Sequence, residues 1–154
     1  MSGRIEARLK ELGVVLPAPF APVGNYRPFV RTGDLLFISG QVSLQDGAPI
    51  LGRVGADANV AQGQAAARAC ALQLIAQARA ACDGDLDRVR RVVKLTGFVN
   101  ATPEFGEHPE VLNGASDLMV EVFGEAGLHA RAAVGCGSLP RGVMVEVEAV
   151  FELG

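Results

Sequence analysis

Several residue types are scarce in this sequence, and their scarcity excludes several kinds of site. Among 154 residues there is no tryptophan and one tyrosine, and aromatic side chains make up 5% of the chain. There are three cysteines, an odd number, and no two of them have the C-x-x-C spacing. Neither a disulfide framework nor a zinc site is therefore indicated. Because His108 and His129 are the two histidines, a metal site would have to be built mainly from carboxylates, and we predict none.

An excess of positive charge is also missing. The formal net charge is -3, and the densest basic cluster, Arg88, Arg90, Arg91 and Lys94, is interrupted by valines. Such a charge distribution does not attract phosphate backbones, so we expect no nucleic-acid partner. No apolar stretch approaches the length needed to cross a membrane, and charged residues interrupt the first dozen positions, where a signal peptide has its apolar core. We therefore expect a cytoplasmic protein with no membrane partner.

Length and composition favour one domain covering residues 1–154. With 49% hydrophobic residues, a chain of this length can bury a sizeable core without being divided. Ser2 can cap a short helix that runs through Leu12 and is stopped by Gly13, so we expect residues 1–16 to form an N-terminal helical extension. Proline and glycine then make residues 17–27 an extended loop.

Hydrophobic periodicity and turn signals predict an α+β fold. Strand patterns and two long helical patterns follow one another in the order β-β-β-α-β-α-β-β, which indicates two main helices on one face of a mixed six-stranded sheet. The longer helix is rich in alanine, which allows close packing against the sheet. The predicted strands cover residues 28–31, 34–39, about 49–51, 92–99, 131–136 and 143–152, and the predicted main helices cover residues 57–82 and 107–123.

Arg131 lies in a strand pattern otherwise made of Ala, Val, Gly and Cys. An arginine stays ionised, so a carboxylate or phosphate has to meet its planar guanidinium when apolar residues surround it. If residues 131–136 and 143–152 form a hairpin, matching the alternating apolar residues of the two strands places Arg131 and Glu146 together on the other face, which is lined by small residues. Such a face suits a small carboxylated molecule. The alternative is an ordinary solvated face on which the charges pair.

The same segment resembles the C-terminal signature of the RidA family, also called YjgF/YER057c/UK114. That signature has a PAR block, a leucine-proline turn and an alternating V-E-[IV]-E-A strand. Ala130-Arg131, Leu139-Pro140 and Val145-Glu146-Val147-Glu148-Ala149 follow this order and spacing. Upstream, Gly24-Asn25-Tyr26 and the strand ending in Ser39-Gly40-Gln41 resemble the family's GPY segment and its SGQ strand end. The similarity covers roughly residues 17 to 152.

The resemblance implies a fold, an assembly and an activity. The fold would be the chorismate-mutase-like version of the α+β layout. The assembly would be a homotrimer in which the sheets form a central barrel and the ligand pockets lie at subunit interfaces. The activity would be a deaminase reaction, the hydrolysis of reactive enamines and imines, here small 2-imino acids, to 2-keto acids and ammonia. This reaction needs no cofactor.

The resemblance also assigns roles to individual residues. Arg131 would hold the carboxylate of a small metabolite through two hydrogen bonds, and Glu146 would be the catalytic residue that orients or deprotonates a water molecule. The remaining substrate-binding residues implied by the resemblance are Tyr26, Ser39, Gly40 and Asn113.

Two departures from the family pattern leave other functions open. Members with clear deaminase behaviour typically carry Ser and Cys after the arginine, where this chain has Ala132 and Ala133, and His129 replaces the proline of the PAR block. One alternative is a non-catalytic trimeric binder or sensor of small carboxylated metabolites such as 2-keto acids. Another is the ribonuclease activity also attached to this family, which the acidic net charge disfavours.

Overall fold

The chain forms an α+β fold whose elements we number in chain order. The computed structural model describes residues 3–154. The α-helices in that range are α1 (Arg4–Glu11), α2 (Val60–Ala81) and α3 (His108–Phe123), and 3-10 turns cover Leu86–Arg88, Gly124–Gly127 and Pro140–Gly142. The strands are β1 (Phe29–Thr32), β2 (Leu35–Val42), β3 (Leu44–Gln45), β4 (Ala48–Pro49), β5 (Val89–Asn100), β6 (Ala130–Cys136) and β7 (Val145–Leu153).

The start of α1 is capped by a residue from a distant part of the chain. The backbone N–H groups of Arg4 and Ile5 each donate to the carboxylate of Asp87 at 2.8 Å. These N–H groups have no partner inside the helix, so the carboxylate satisfies them and complements the positive end of the helix dipole. The hydrogen bonds from Ile5 and Arg4 hold the pKa of Asp87 below its usual value. The predicted cap, Ser2, lies outside the described residues.

A capping box starts α2. The side chain of Asn59 accepts a hydrogen bond from the Gln62 N–H at 2.9 Å, and the Gln62 side chain accepts one from the Asn59 N–H at 2.9 Å. This reciprocal pair satisfies two N–H groups that the helix leaves free. The helix therefore begins at Val60 and not at the predicted Asp57. The Asp57 carboxylate accepts a hydrogen bond from the Arg53 N–H at 2.6 Å and closes the preceding turn.

Five strands form one mixed sheet in the order β1-β2-β7-β5-β6. The neighbouring strands are antiparallel except β5 and β6, which run parallel and are joined through α3. A parallel pair requires a crossover of this kind. The helices α2 and α3 cover one face of the sheet, where alternate side chains of β7 are buried in the core: Val145, Val147, Ala149, Phe151 and Leu153. No helix among residues 3–154 is long and apolar enough to cross a bilayer.

The other face of the sheet, which we call the open face, carries exposed apolar side chains. Val30 is 53% exposed, Phe37 is 45% exposed and Val134 is 44% exposed. Val30 and Phe37 are paired across β1 and β2, so they form a continuous apolar surface. A surface of this kind commonly marks an interaction site.

The prediction of a six-stranded sheet is wrong, because the main sheet has five strands. The chain near residues 49–51 forms β4, which pairs only with β3 in a separate two-stranded ribbon. Both strands of the ribbon have two residues, and Pro49 lacks the N–H that a central strand must donate.

The predicted hairpin of residues 131–136 and 143–152 is also wrong. β5 lies between β6 and β7 and pairs with both. The 3-10 turn Pro140–Gly142 is followed by a bridge between Val143 and Leu51, so the chain crosses to the far side of β5 before β7 begins. β7 is therefore a central strand with a neighbouring strand on each side, whereas β6, which is rich in small residues, is an edge strand.

The corrected pairing changes the faces on which the two predicted site residues lie. Leu95 of β5 is paired with Ala149 and Arg131, and Phe98 is paired with Glu146 and Val134. Directly paired residues share a face, so Arg131 lies on the helix-covered face and Glu146 on the open face. The prediction that these side chains share one face within a chain is therefore wrong.

Candidate functional site

Arg131 is held by two neutral side chains of α3. Its Nη1 donates to Asn113 Oδ1 at 2.9 Å and to Ser116 Oγ at 3.1 Å. Asn113 and Ser116 are three residues apart in α3, and residues at this spacing lie on the same face of a helix. We call Arg131, Asn113 and Ser116 the Arg131 half-site.

The hydrogen bonds of Arg131 leave one edge of its guanidinium free. The two protons of Nη1 point to Asn113 and Ser116, and neither Nε nor Nη2 has a hydrogen-bond partner among residues 3–154. No acidic side chain of the described chain forms a salt bridge with Arg131. Nε–H and Nη2–H are the parallel donors that bind both oxygens of a carboxylate. The structure thus presents a cation with an open carboxylate-binding edge.

Glu146 lines a cavity of about 600 Å³ together with three other predicted residues, Tyr26, Ser39 and Gly40. We call these four residues the Glu146 half-site. The cavity also has walls that the sequence did not single out, including Phe20 from the loop after α1 and Arg141 from the Pro140–Gly142 turn. Tyr26 is 52% exposed.

A β-bulge brings Gly40 against Glu146. Between Ile38 and Gln41 the register of β2 against β7 shifts, so Ser39 and Gly40 lie opposite the single residue Glu148. Bulges of this kind re-aim side chains next to functional sites. A Cβ atom at position 40 would lie 2.5 Å from Glu146 Oε1. Glycine has no Cβ atom, so it is the only residue at position 40 that leaves the Glu146 carboxylate where the structure places it.

The carboxyl group of Glu146 has an altered pKa. Burial raises it above the usual value for glutamate, and the negative charge of Glu148 raises it further. A raised pKa favours the exchange of protons near neutral pH, which general acid and base groups require.

Ser39 ties the Tyr26 loop to the sheet. Its hydroxyl donates to the Arg27 carbonyl at 2.7 Å, and its backbone N–H donates to the Pro28 carbonyl at 2.9 Å. Both hydrogen bonds involve the residues that directly follow Tyr26. Ser39 therefore fixes the position of the loop, and its hydroxyl proton is already used by the backbone.

The six predicted site residues form two groups within one chain and not a single pocket. Asn113 and Arg131 are in contact with each other, whereas the other four line the cavity on the open face. A larger cavity of about 680 Å³, between α2 and the loop after α1, is lined by neither Arg131 nor Glu146. Residues 3–154 contain no cluster of three or more His, Cys, Asp or Glu side chains that could hold a metal ion.

Sequence reasoning missed Ser116, Phe20 and Arg141. The spacing of Ser116 from Asn113 could have suggested a shared helical face, but the sequence does not say that this face meets β6. Phe20 and Arg141 reach the cavity through irregular segments, where periodicity gives no orientation.

The chain belongs to the YjgF family and has its chorismate-mutase-like α+β fold. A sequence model described as "YjgF/chorismate mutase-like, putative endoribonuclease" matches residues 6–153, which confirms the RidA (YjgF) resemblance of the motifs.

Individual relatives match along most of the chain. Protein TCP17 of Trypanosoma cruzi is 54% identical over 154 residues, covering 99% of this chain and 96% of that protein. The crystal structure of Atu1372 from Agrobacterium tumefaciens, a protein described as having unknown function, is 50% identical, has a TM-score of 0.91, and is matched over 97% of this chain and 92% of its own. A 2-iminobutanoate/2-iminopropanoate deaminase of Dermatophagoides farinae is 24% identical over 140 residues, covering 88% of this chain and 93% of that protein.

Proposed function

We propose that this protein is a deaminase that hydrolyses small 2-imino acids to 2-keto acids and ammonia. The observation that carries the proposal is the free Nε and Nη2 edge of Arg131, which has no acidic partner among the described residues. A guanidinium in that state suits the carboxylate of a 2-imino acid. The deaminase among the relatives, which acts on 2-iminobutanoate and 2-iminopropanoate by its name, supports the choice of substrate class.

In the proposed reaction, Arg131 fixes the substrate and Glu146 moves protons. Holding the carboxylate through two hydrogen bonds places the neighbouring C=N carbon at a set position. A water oxygen bonds to that carbon while Glu146 takes a proton from the water and delivers it to the nitrogen, which gives a carbinolamine. Glu146 then transfers the hydroxyl proton to the nitrogen. The C–N bond breaks, and ammonia and the 2-keto acid leave with no net gain or loss of protons by Glu146.

We further propose that the two half-sites meet between subunits of a homotrimer. Within one chain Arg131 and Glu146 lie on opposite faces of the sheet, so they cannot act on one small molecule unless a second copy contributes. The exposed apolar side chains of the open face, Val30, Phe37 and Val134, favour its burial against another subunit.

The reaction is tested by generating 2-iminobutyrate with an amino-acid oxidase and following its loss against a buffer blank. We expect the wild type to accelerate the loss, and Arg131→Ala and Glu146→Gln to abolish most of this acceleration. Arg91→Ala and Glu152→Gln are matched controls, because both residues lie on the same sheet outside the half-sites. Loss of the imine at the rate of the blank with wild-type protein would sink the proposal.

Arg141 provides an internal check on the interface. It lines the same cavity as Glu146, so it is the cation that a site contained in one chain would use. If Arg141→Ala removed the activity while Arg131→Ala did not, the carboxylate would be held within one subunit and the shared site would be refuted.

A non-catalytic binder of 2-keto acids is the second candidate. Ala132 and Ala133 favour it, because they give the Arg131 half-site no side chain able to donate or accept a proton directly after the arginine. In that case 2-ketobutyrate would raise the midpoint of thermal unfolding of the wild type but not of Arg131→Ala, and the oxidase assay would show no acceleration.

A further inference from the structure

A chain of hydrogen bonds links Arg131 to His129 through Ser116. The Gly127 carbonyl lies 2.6 Å from His129 Nδ1, and His129 Nε2 lies 2.8 Å from Ser116 Oγ. Ser116 Oγ in turn lies 3.1 Å from Arg131 Nη1.

When the His129 imidazole is neutral, donor and acceptor rules set the direction of every hydrogen bond from Gly127 to Arg131. A carbonyl only accepts, so His129 Nδ1 carries the proton that is donated to Gly127. In the neutral imidazole Nε2 is then an acceptor. The Ser116 hydroxyl donates its single proton to Nε2, and its oxygen is left to accept from Arg131, since a guanidinium only donates. In this series of hydrogen bonds, the donor or acceptor role of each group therefore depends on the role of the group before it.

We propose that His129 and Ser116 are positioning residues that orient Arg131 for carboxylate binding. This inference rests on the proposed function of Arg131 and extends it to two residues outside the predicted site. An arginine side chain has many rotamers, and restricting them before a ligand arrives lowers the cost of binding. His129 sets the direction of the Ser116 hydroxyl, and the Ser116 oxygen together with Asn113 then fixes Nη1. As a result Nε and Nη2 remain available to a ligand.

The position of His129 in the sequence fits this role. It stands where the family's PAR block has a proline, two residues before the arginine, and it directly precedes β6. A proline at that position has no side-chain acceptor for the Ser116 hydroxyl.

Crystal structures of the wild type and of His129→Phe test the positioning without any ligand. We expect Arg131 Nη1 to stay on Asn113 and Ser116 in the wild type and to leave at least one of them in His129→Phe. Ser116→Ala, which removes the link itself, should have the same effect, and Ser116→Thr, which keeps the hydroxyl, should not. An unchanged Arg131 side chain in His129→Phe and Ser116→Ala would overturn the inference, whatever the protein binds.

Binding of 2-ketobutyrate and of its neutral amide, 2-ketobutyramide, separates positioning from a general structural role. We expect His129→Phe and Ser116→Ala to weaken binding of the carboxylate about three- to tenfold, the usual worth of one hydrogen bond, and to leave binding of the amide unchanged. His108→Phe replaces the other histidine and serves as the matched control. Equal losses for both ligands in His129→Phe would refute positioning. A wild type that does not prefer the carboxylate would refute the proposed function instead, and the crystal structures would still decide the positioning of Arg131.

Discussion

Arg131 and Glu146 lie on opposite faces of the sheet, although their strands are both paired with β5. Arg131 points to α3, where Asn113 and Ser116 hold it, and Glu146 lines the cavity beside Gly40. A site that uses both residues has to be assembled from two copies of the chain. This relationship gives the first prediction.

Mixing two inactive variants should restore activity. Arg131→Ala and Glu146→Gln are unfolded together and refolded at equal concentrations, so that subunits combine at random. An interface is complete when one subunit supplies an intact Arg131 and its neighbour supplies an intact Glu146, which random mixing produces at about one quarter of the interfaces. We expect about that fraction of the wild-type rate in the imine assay. Each variant refolded alone is the control, and a mixture no more active than the two controls would rule out a shared site.

Replacing Gly40 should displace the Glu146 carboxylate, the proposed proton-transfer group, at little cost in stability. The new methyl group of Gly40→Ala meets the end of the Glu146 side chain, which can move away because it is flexible. We expect the turnover of 2-iminobutyrate to fall about 100-fold, within the range that a general acid or base contributes, with a nearly unchanged melting temperature. Gly106→Ala, where nothing lies near the added methyl group, should be as active as the wild type. Wild-type turnover by Gly40→Ala would argue against Glu146 as the proton-transfer group.

The charge of Glu148 should raise the pH at which activity appears. Glu146 has to be ionised to accept a proton from water, so activity rises as the pH rises through its pKa. Glu148 contributes to the raised pKa of Glu146, after burial, and Glu148→Gln should therefore move the acid limb of the pH-rate profile to lower pH. Glu152→Gln, on the same strand, is the control and should leave the limb in place. An acid limb that does not move, or moves to higher pH, contradicts this assignment.

The same raised pKa has a consequence for stability. The folded protein holds the Glu146 proton more tightly than the unfolded chain does, so stability falls as the pH rises from the ordinary glutamate pKa to the raised one. Glu146→Gln should remove this part of the pH dependence, which urea unfolding at several pH values would reveal.

Removing the cap on α1 should destabilise the fold. Asp87→Ala deprives the Arg4 and Ile5 N–H groups of their partner, and loss of a helix cap typically costs about 1 kcal/mol. For a chain of this size we expect the melting temperature at pH 7 to fall by about 2 to 4 °C. Because the pKa of Asp87 is lowered by folding, the difference from wild type should shrink as the pH falls through that lowered pKa. Glu11→Ala, which breaks an exposed ion pair with Arg8 on the same helix, should change the melting temperature much less.

The sequence was sufficient to predict most elements but not how all the strands pair. The bounds of α3 were recovered from local signals, the proline after His108 and the glycine after Phe123, whereas the start of α2 was predicted three residues too early. The hairpin prediction failed because it assumed that consecutive strands are neighbours, whereas β5 intervenes. Arg131 was assigned to the wrong face because the apolar alternate residues of β6, such as Val134, were matched to the core-facing residues of β7. Pairing through β5 instead puts Val134 on the same face as Glu146.

The membership of the candidate site stays a prediction, whereas the arrangement predicted for Arg131 and Glu146 on one face of a single chain is wrong. Family motifs point to single residues such as Tyr26 and Asn113, and these motifs do not say whether two residues belong to the same copy of the chain. The contact of His129 with Ser116 was not predictable either, because it depends on how α3 crosses the edge of the sheet. That crossing is set by packing between distant segments and not by local sequence.

The cap on α1 also bears on the order in which the protein folds. Its two hydrogen bonds join residues 83 and 82 positions apart, and a helix of eight residues is too short to be stable alone in water. During synthesis on the ribosome, α1 cannot acquire its cap until the region of Asp87 has emerged. Hydrogen exchange at Arg4 and Ile5 would therefore report when the later part of the chain has folded, even though these residues are made long before it.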